Sequence, residues 1–319
     1  MRYRRLGKSE LRVSVIGLGT YQFGGRWGKD FTQREVDEIL TAALECGINL
    51  IDTAKCYGMN RLSETLIGRA ITSTREHWIL ATKFGHDRLT PSENRPAWSP
   101  AEVRDQLEGS LRALRTEHID LYQFHSGSNE AFDNDELWAM LGEQKRLGKI
   151  GHLGVSVSRR SSEWRIHQVA RAEDVGASVI QVKYNRLERE AEEDALPMCV
   201  DQDLGVMARV PLASGLLSGR YQHLDVFEKT DARAKKYDRE TIARLKREID
   251  TILESEIPEG LTLPEHSLLW SLAHPAVSCV IPGCKTAQHV RQNAGIAAHL
   301  APQGDHPQDL APTPGGSKS

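Results

Sequence analysis

The sequence predicts an α/β chain folded as a (β/α)8 TIM barrel, and three observations carry that expectation. Short apolar, β-branched runs alternate with longer stretches of helical periodicity along most of the chain. The runs are apolar nearly throughout, as strands covered on both faces are. A chain of 319 residues also has the length for one such barrel, which commonly needs ~250 residues plus insertions. A doubly wound open sheet is the next-best architecture. The barrel is expected as a single domain over 1–300, followed by a flexible tail over 301–319 whose Pro, Gly and polar residues cannot build a core.

Taken in order, RYRRLGKSELRV reads as a short N-terminal β-hairpin turning at Gly7, Lys8 and Ser9 and plugging the lower end of the barrel. The first strand is expected at 13–20. Thr32 and Glu35 then form a capping box ahead of Val36, Ile39, Leu40 and Ala43 at helical spacing, and Gly47 stops the helix. Strands follow at 49–54 and 78–85. Ser99, Pro100 and Glu102 open a helix with Val103, Leu107, Leu111 and Leu114 on one face. After a strand at 119–125, Leu137, Met140, Leu141 and Leu147 stripe the next helix, closed by Gly148. Strands at 152–158, 179–185, 205–210 and 277–283 complete the set, and Thr286 caps the helix after the last. The connections 86–98 and 211–261 are long, the second holding a helix at 239–254; long connections in compact domains are often functional.

Composition narrows the functional classes. Lys plus Arg number 41 and Asp plus Glu 44, a net charge of −3, so there is no general attraction to nucleic acid or to an anionic membrane. No apolar run has the length of a signal peptide core or of a membrane span. The five cysteines show no C-x-x-C spacing, so neither a disulfide framework nor a metal site is expected, and a reducing cytoplasmic setting fits.

In a barrel, the C-terminal ends of the strands converge on one mouth. Asp52 ends the second expected strand, Lys83 the third and His125 the fourth, and Tyr57 stands in the loop after Asp52. Singly, each has a structural explanation: a turn aspartate, a packed tyrosine, a satisfied histidine, a solvated lysine. Together they supply what carbonyl reduction needs beyond a hydride. Tyr57 would be the general acid. Lys83 would lower its pKa from the usual ~10, and Asp52 would hold Lys83 charged. His125 would donate a hydrogen bond to the substrate oxygen.

These residues lie in motifs that resemble the aldo-keto reductase family: GLGT (17–20), GINLIDTAKCYG (47–58), SETLIG (63–68), ATKFG (81–85), DLYQFH (120–125), GKIGHLGVS (148–156) and VIPG (280–283). The resemblance implies that Asp52, Tyr57, Lys83 and His125 are the catalytic group and that the cofactor is NADP(H), even though no G-x-G-x-x-G links a strand to a helix. It places Gly19, Thr20 and Asp52 near the nicotinamide, and Ser156 and Gln181 on its carboxamide. Leu212 and Ser214 fall on the pyrophosphate, and Gly283 is a further cofactor-binding position. Lys285 stands at a helix N-terminus, suited to a 2′-phosphate, with His289, Gln292 and Asn293 close by. The sequence departs from the family pattern at Val157, where Asn is common, and at Arg209, where an aromatic is common. Arg209 can stack on a flat ring or reach a phosphate. Tyr21 matches a substrate-wall position. Trp27, Phe23, Phe84 and Trp98 are further aromatics near the mouth, and Tyr57 and His125 would also touch substrate.

The reading is thus an NADPH-dependent reductase of aldehydes and ketones, acting on a small carbonyl or, in reverse, on an alcohol. The second reading is a cofactor-sensing regulatory subunit resembling potassium-channel β subunits. A lyase with Lys83 as Schiff-base nucleophile ranks lower, because Asp52 would keep that lysine protonated.

Overall fold

The structure is a computed structural model that describes residues 1–25, 29–90, 93–158, 161–220, 233, 237–300 and 304–309. Strands β1 (Tyr3–Arg5) and β2 (Arg12–Ser14) pair antiparallel as the expected N-terminal hairpin. The barrel strands are β3 (Leu18–Gly19), β4 (Leu50–Asp52), β5 (Ile79–Phe84), β8 (Ile119–His125), β9 (Ile150–Ser156), β10 (Ala177–Lys183), β11 (Gly205–Arg209) and β12 (Val277–Ile281). They lie parallel in the order β12-β11-β10-β9-β8-β5-β4-β3. The ring closes between its first and last strands: Gly17 N–H donates to Val280 O at 2.8 Å and Gly19 N–H to Pro282 O at 3.1 Å. The expected strand 13–20 is divided, because its first residues pair with the hairpin and only its end joins the barrel.

Helices α1 (Gln33–Glu45), α2 (Leu62–Ala70), α3 (Pro100–Leu114), α4 (Asn129–Phe132) and α5 (Asp135–Arg146) surround the first half. Then come α6 (Ser162–Ala170), α7 (Ala195–Asp201), α8 (Arg239–Ser255), α9 (Leu263–Ala273) and α10 (Ala287–Gly295). The capping boxes at Thr32 with Glu35 and at Ser99 with Glu102 are formed, and the Thr286 hydroxyl accepts from His289 N–H to open α10. The connection 86–98 is not simply a loop. Its strands β6 (His86–Thr90) and β7 (Glu93–Pro96) pair antiparallel. Lys55 pairs with Asp87, which also meets Arg95 at 2.6 Å, so this hairpin leans on the loop after β4.

Side chains inside the barrel follow the two-residue period of a strand. Leu50, Ala81, Leu121, Val179, Met207 and Cys279 form an apolar inner cluster, closed from below by Leu6 and Val13 of the hairpin. Gly7 has φ +53°, and a Cβ there would come within 2.0 Å of Gly205 N, so only glycine lets the hairpin seat against β11. A second shell of apolar residues fills the space between strands and helices. A separate small core joins Leu216 and Leu217, after β11, to Ile242, Leu245 and Ile249 of α8.

The expected tail is partly built into the fold. Residues 304–309 dock at the lower end, where Asp309 pairs with Arg4 and Arg2, each at 3.0 Å, and Arg5 N–H donates to Gln308 O at 2.8 Å. Arg4 is almost fully buried and needs that carboxylate, which overrides the tail-like composition. Residues 301–303 and 310–319 lie outside the described residues.

Candidate active site

On five of the strands the residue two positions above the apolar inner residue is polar, while on β12 Ile281 follows Cys279. Asp52 follows Leu50, Lys83 follows Ala81, Gln123 follows Leu121, Gln181 follows Val179 and Arg209 follows Met207, all on barrel strands. The strand period therefore turns an apolar layer into a polar one at the mouth.

In that layer the Lys83 ammonium donates to both carboxylate oxygens of Asp52 at 2.7 Å and to Thr53 O at 2.8 Å. It donates to the Tyr57 hydroxyl at 3.3 Å and stands 5.0 Å from the centre of that ring. Both Lys83 and Asp52 are buried. Gln181 Nε2 donates to Asp52 Oδ1 at 2.7 Å and Gln123 Nε2 to the same oxygen at 3.3 Å. Ser156 Oγ donates to Gln181 Oε1 at 3.3 Å. Gln123 is missing from the sequence reading, although the Leu121-Gln123-His125 alternation in DLYQFH points it inward.

Tyr57 and His125 face one another with ring centres 6.0 Å apart, and the edge of Tyr21 meets Tyr57 at 5.0 Å. The four expected catalytic residues thus share one site. Burial, helped by the charge of Asp52, raises the Tyr57 pKa well above its ordinary value. This reverses the expected lowering by Lys83. The ammonium is spent on two oxygens of Asp52, so the pair presents little net charge to the phenol. Burial and the nearby Lys83, His86 and Arg209 hold His125 well below the ordinary imidazole range, and it is neutral at pH 7. Burial also lowers the Lys83 pKa, against the attraction of Asp52.

Two further neighbours of His125 went unnoticed in the sequence. His86 Nε2–H donates to His125 O at 2.7 Å, and Cys56 Sγ lies 3.7 Å from His125 Nδ1. The departures at Val157 and Arg209 touch each other: Arg209 Nη2 donates to Val157 O at 3.1 Å. Of the described aromatics in that group, only Tyr21 meets Tyr57. Phe23 and Phe84 are core residues. Trp98 packs on Phe124 at 4.4 Å and against Gly85, whose φ of +110° and missing Cβ admit the indole. Flat rings behind a strand end filled the core rather than the mouth. Trp27 lies outside the described residues.

The residues expected to hold a cofactor fall into three groups around the mouth. Gly19, Thr20, Ser156 and Gln181 stand at strand ends, with Thr20 donating to Asp52 O at 2.9 Å. After β11 the backbone takes left-handed φ values at Val210, Ala213, Ser214 and Gly215, flanking Leu212. Such a run makes a concave backbone surface of the kind that holds phosphate oxygens. Gly283 bridges Gly19, and α10 begins just beyond it. Near that helix start Arg220 Nη2 lies 2.7 Å from His289 Nε2, and Lys285 N–H donates to His289 Nδ1 at 3.4 Å. Burial, Arg220 and Lys285 together lower the His289 pKa. Such a crowd of basic groups at a helix N-terminus fits a phosphate. Asn293 is turned inward and donates to Cys284 Sγ at 3.2 Å, while Gln292 is exposed on α10.

The family model described as "Aldo/keto reductase family" matches residues 15–308. The chain is 34% identical over 304 residues to an "Uncharacterized oxidoreductase YrpG" of Bacillus subtilis (strain 168), covering 91% of this chain and 89% of that one. It is 30% identical over 308 residues to an "NADH-specific methylglyoxal reductase" of Escherichia coli (strain K12), covering 90% and 91%. Among solved structures, the holo form of the aldo-keto reductase AKR11C1 from Bacillus halodurans superposes with a TM-score of 0.77 at 29% identity, covering 93% of this chain and 91% of that one. An aldo/keto reductase from Klebsiella pneumoniae in complex with NADP and acetate superposes with a TM-score of 0.68 at 26% identity, covering 94% and 91%.

Proposed function

The chain belongs to the aldo/keto reductase family, and from that membership we propose that it reduces aldehyde or ketone carbonyls to alcohols with NADP(H), using Tyr57 as the proton donor. The observation that carries this reading is the buried contact chain from Asp52 through Lys83 to the Tyr57 hydroxyl, which faces His125.

The bound cofactor supplies the hydride. The protein's own work is at the carbonyl oxygen. Tyr57, with its raised pKa, keeps its proton in the resting enzyme and gives it up only when the oxygen becomes an alkoxide. Lys83 then stabilises the phenolate left behind, from 3.3 Å. Asp52 fixes the position of Lys83, and Gln123 and Gln181 fix Asp52. Neutral His125 donates one hydrogen bond to the carbonyl oxygen and sets its angle to Tyr57. Tyr21 forms one wall of the substrate pocket.

For the cofactor, Ser156 and Gln181 would take the nicotinamide carboxamide, and the turn at Leu212 and Ser214 the pyrophosphate. Arg220, Lys285 and His289 favour a 2′-phosphate, and hence NADPH over NADH, because gathered basic groups are relieved by a dianion. The test is a panel of aldehydes, ketones and alcohols assayed with both cofactors, on the wild type and on Tyr57→Phe. The variant is expected to lose about 10²–10⁴-fold in kcat and to bind NADPH as before. Full turnover in Tyr57→Phe would remove Tyr57 from the mechanism. Tight NADPH binding without turnover of any substrate would instead favour a sensing role.

A further inference from the structure

The Cys56 thiol occupies a place for which the mechanism above has no use. It is buried at 5% exposure, one residue before Tyr57, with its sulfur 3.7 Å from His125 Nδ1. A neutral imidazole carries one N–H, and which nitrogen holds it depends on what the other nitrogen meets. His125 can donate to a substrate oxygen from Nε2 only if Nδ1 is bare. A bare Nδ1 inside a protein needs a donor, and Cys56 is the side chain that meets it among the described residues.

We propose that Cys56 is a positioning residue, whose S–H donates to His125 Nδ1 and thereby holds the imidazole in the Nε2–H tautomer that presents a hydrogen bond to the carbonyl oxygen. The inference rests on the proposed role of His125 in carbonyl reduction.

Three features of the site support it. The titratable groups facing His125 besides Cys56 are Tyr57, Lys83, His86 and Arg209; the last three act with burial to keep the ring neutral, so the contact is not a thiolate–imidazolium pair. A thiol is a weak acceptor, and an Nδ1–H aimed at sulfur would leave Nε2 with a lone pair facing an electron-rich carbonyl oxygen. The remaining freedom of His125 is already restrained. Its backbone carbonyl accepts from His86 Nε2–H at 2.7 Å, and its ring packs at 5.5 Å from that of His86. Backbone and ring plane are thus held by His86, and Cys56 is left to decide the tautomer.

The decisive measurement needs no activity. In the free wild-type protein with ¹⁵N-labelled histidine, the His125 resonances, assigned by their loss in His125→Gln, are expected to show a bare Nδ1 and a protonated Nε2. A protonated Nδ1 overturns the proposal. Cys56→Ala removes the donor and is expected to mix the tautomers and lower kcat about three- to tenfold with little change in KM. Cys56→Ser keeps a donor of similar size and is expected to restore the tautomer and most of kcat. A Cys56→Ala enzyme with wild-type tautomer and wild-type kcat also overturns it, as does a Cys56→Ser enzyme no better than Cys56→Ala in both readouts. Absence of carbonyl turnover in the wild type would count against the proposed function alone, since the tautomer is read without substrate.

Discussion

At the scale of single residues, two opposing fields act on the Tyr57 phenol. Lys83 would draw its proton off, whereas burial and Asp52 hold it on, and the second influence prevails. The pH dependence follows with a definite sign. Tyr57 works protonated and its pKa is raised, so kcat for reduction should show no alkaline fall near the ordinary tyrosine value of ~10. His125 works neutral and its pKa is lowered, so no acid limb should appear near ~6.5. A kcat profile from pH 6 to 10 checks both, and a limb at either value contradicts the assignment. The four catalytic candidates were legible because charged and aromatic types closed apolar strands. Gln123 and Cys56 were not, since a neutral amide and a thiol look like ordinary filling until a neighbour is known. The direction of the Tyr57 shift was out of reach for the same reason, as it depends on how Lys83 divides its contacts.

At the scale of elements, the runs of apolar residues marked every barrel strand, with ends displaced by at most two residues in all but the first. The sequence could not show that 13–20 serves two sheets, because pairing partners are not written in a strand's own residues. Nor could it show that 304–309 docks. Arg4 is an unremarkable basic residue in sequence, but its guanidinium donates to Leu272 O and Val277 O inside the fold and pairs there with Asp309. Removing one partner of a buried pair leaves a charge uncompensated. Asp309→Ala should therefore cost about 3 kcal/mol of stability, read by denaturant unfolding, while leaving kcat unchanged because the contact is at the far end from the mouth. The docking should also be acid-labile. His306 donates to His274 O, and its Nδ1 accepts from Gln308 N–H, so the segment needs the neutral ring. Its pKa is pushed down to about 4 by burial and Arg4, from ~6.5 when undocked. Stability from this group is complete above ~6.5 and is lost as pH falls from there toward 4. Hydrogen exchange of 304–309, corrected for its intrinsic pH dependence, should accelerate through that window.

At the scale of the whole molecule, the barrel separates two tasks between its ends. The lower end is a stopper of apolar residues and buried ion pairs. The upper end is a polar layer ringed by strand ends, the left-handed turn after β11 and the basic start of α10. A ligand spanning that ring would tie together strands, turn and helix, and so should stabilise the fold as a unit. NADPH at about 100 times its Kd should add about 2.7 kcal/mol to unfolding. At equal concentration NADH should add less, and Lys285→Ala should shrink the difference between them. An equal response to both cofactors in the wild type would mean that Arg220, Lys285 and His289 do not read the 2′-phosphate. The closing of the lower end by the N-terminal hairpin and residues 304–309 has a practical side. Arg4 bridges Asp309, so the N-terminal hairpin and the last described residue are neighbours, on the face turned away from the mouth. A short linker joining them would make a circularly permuted enzyme without crossing the substrate entrance. A surface tether attached there would hold the protein upright, with its mouth open to solution.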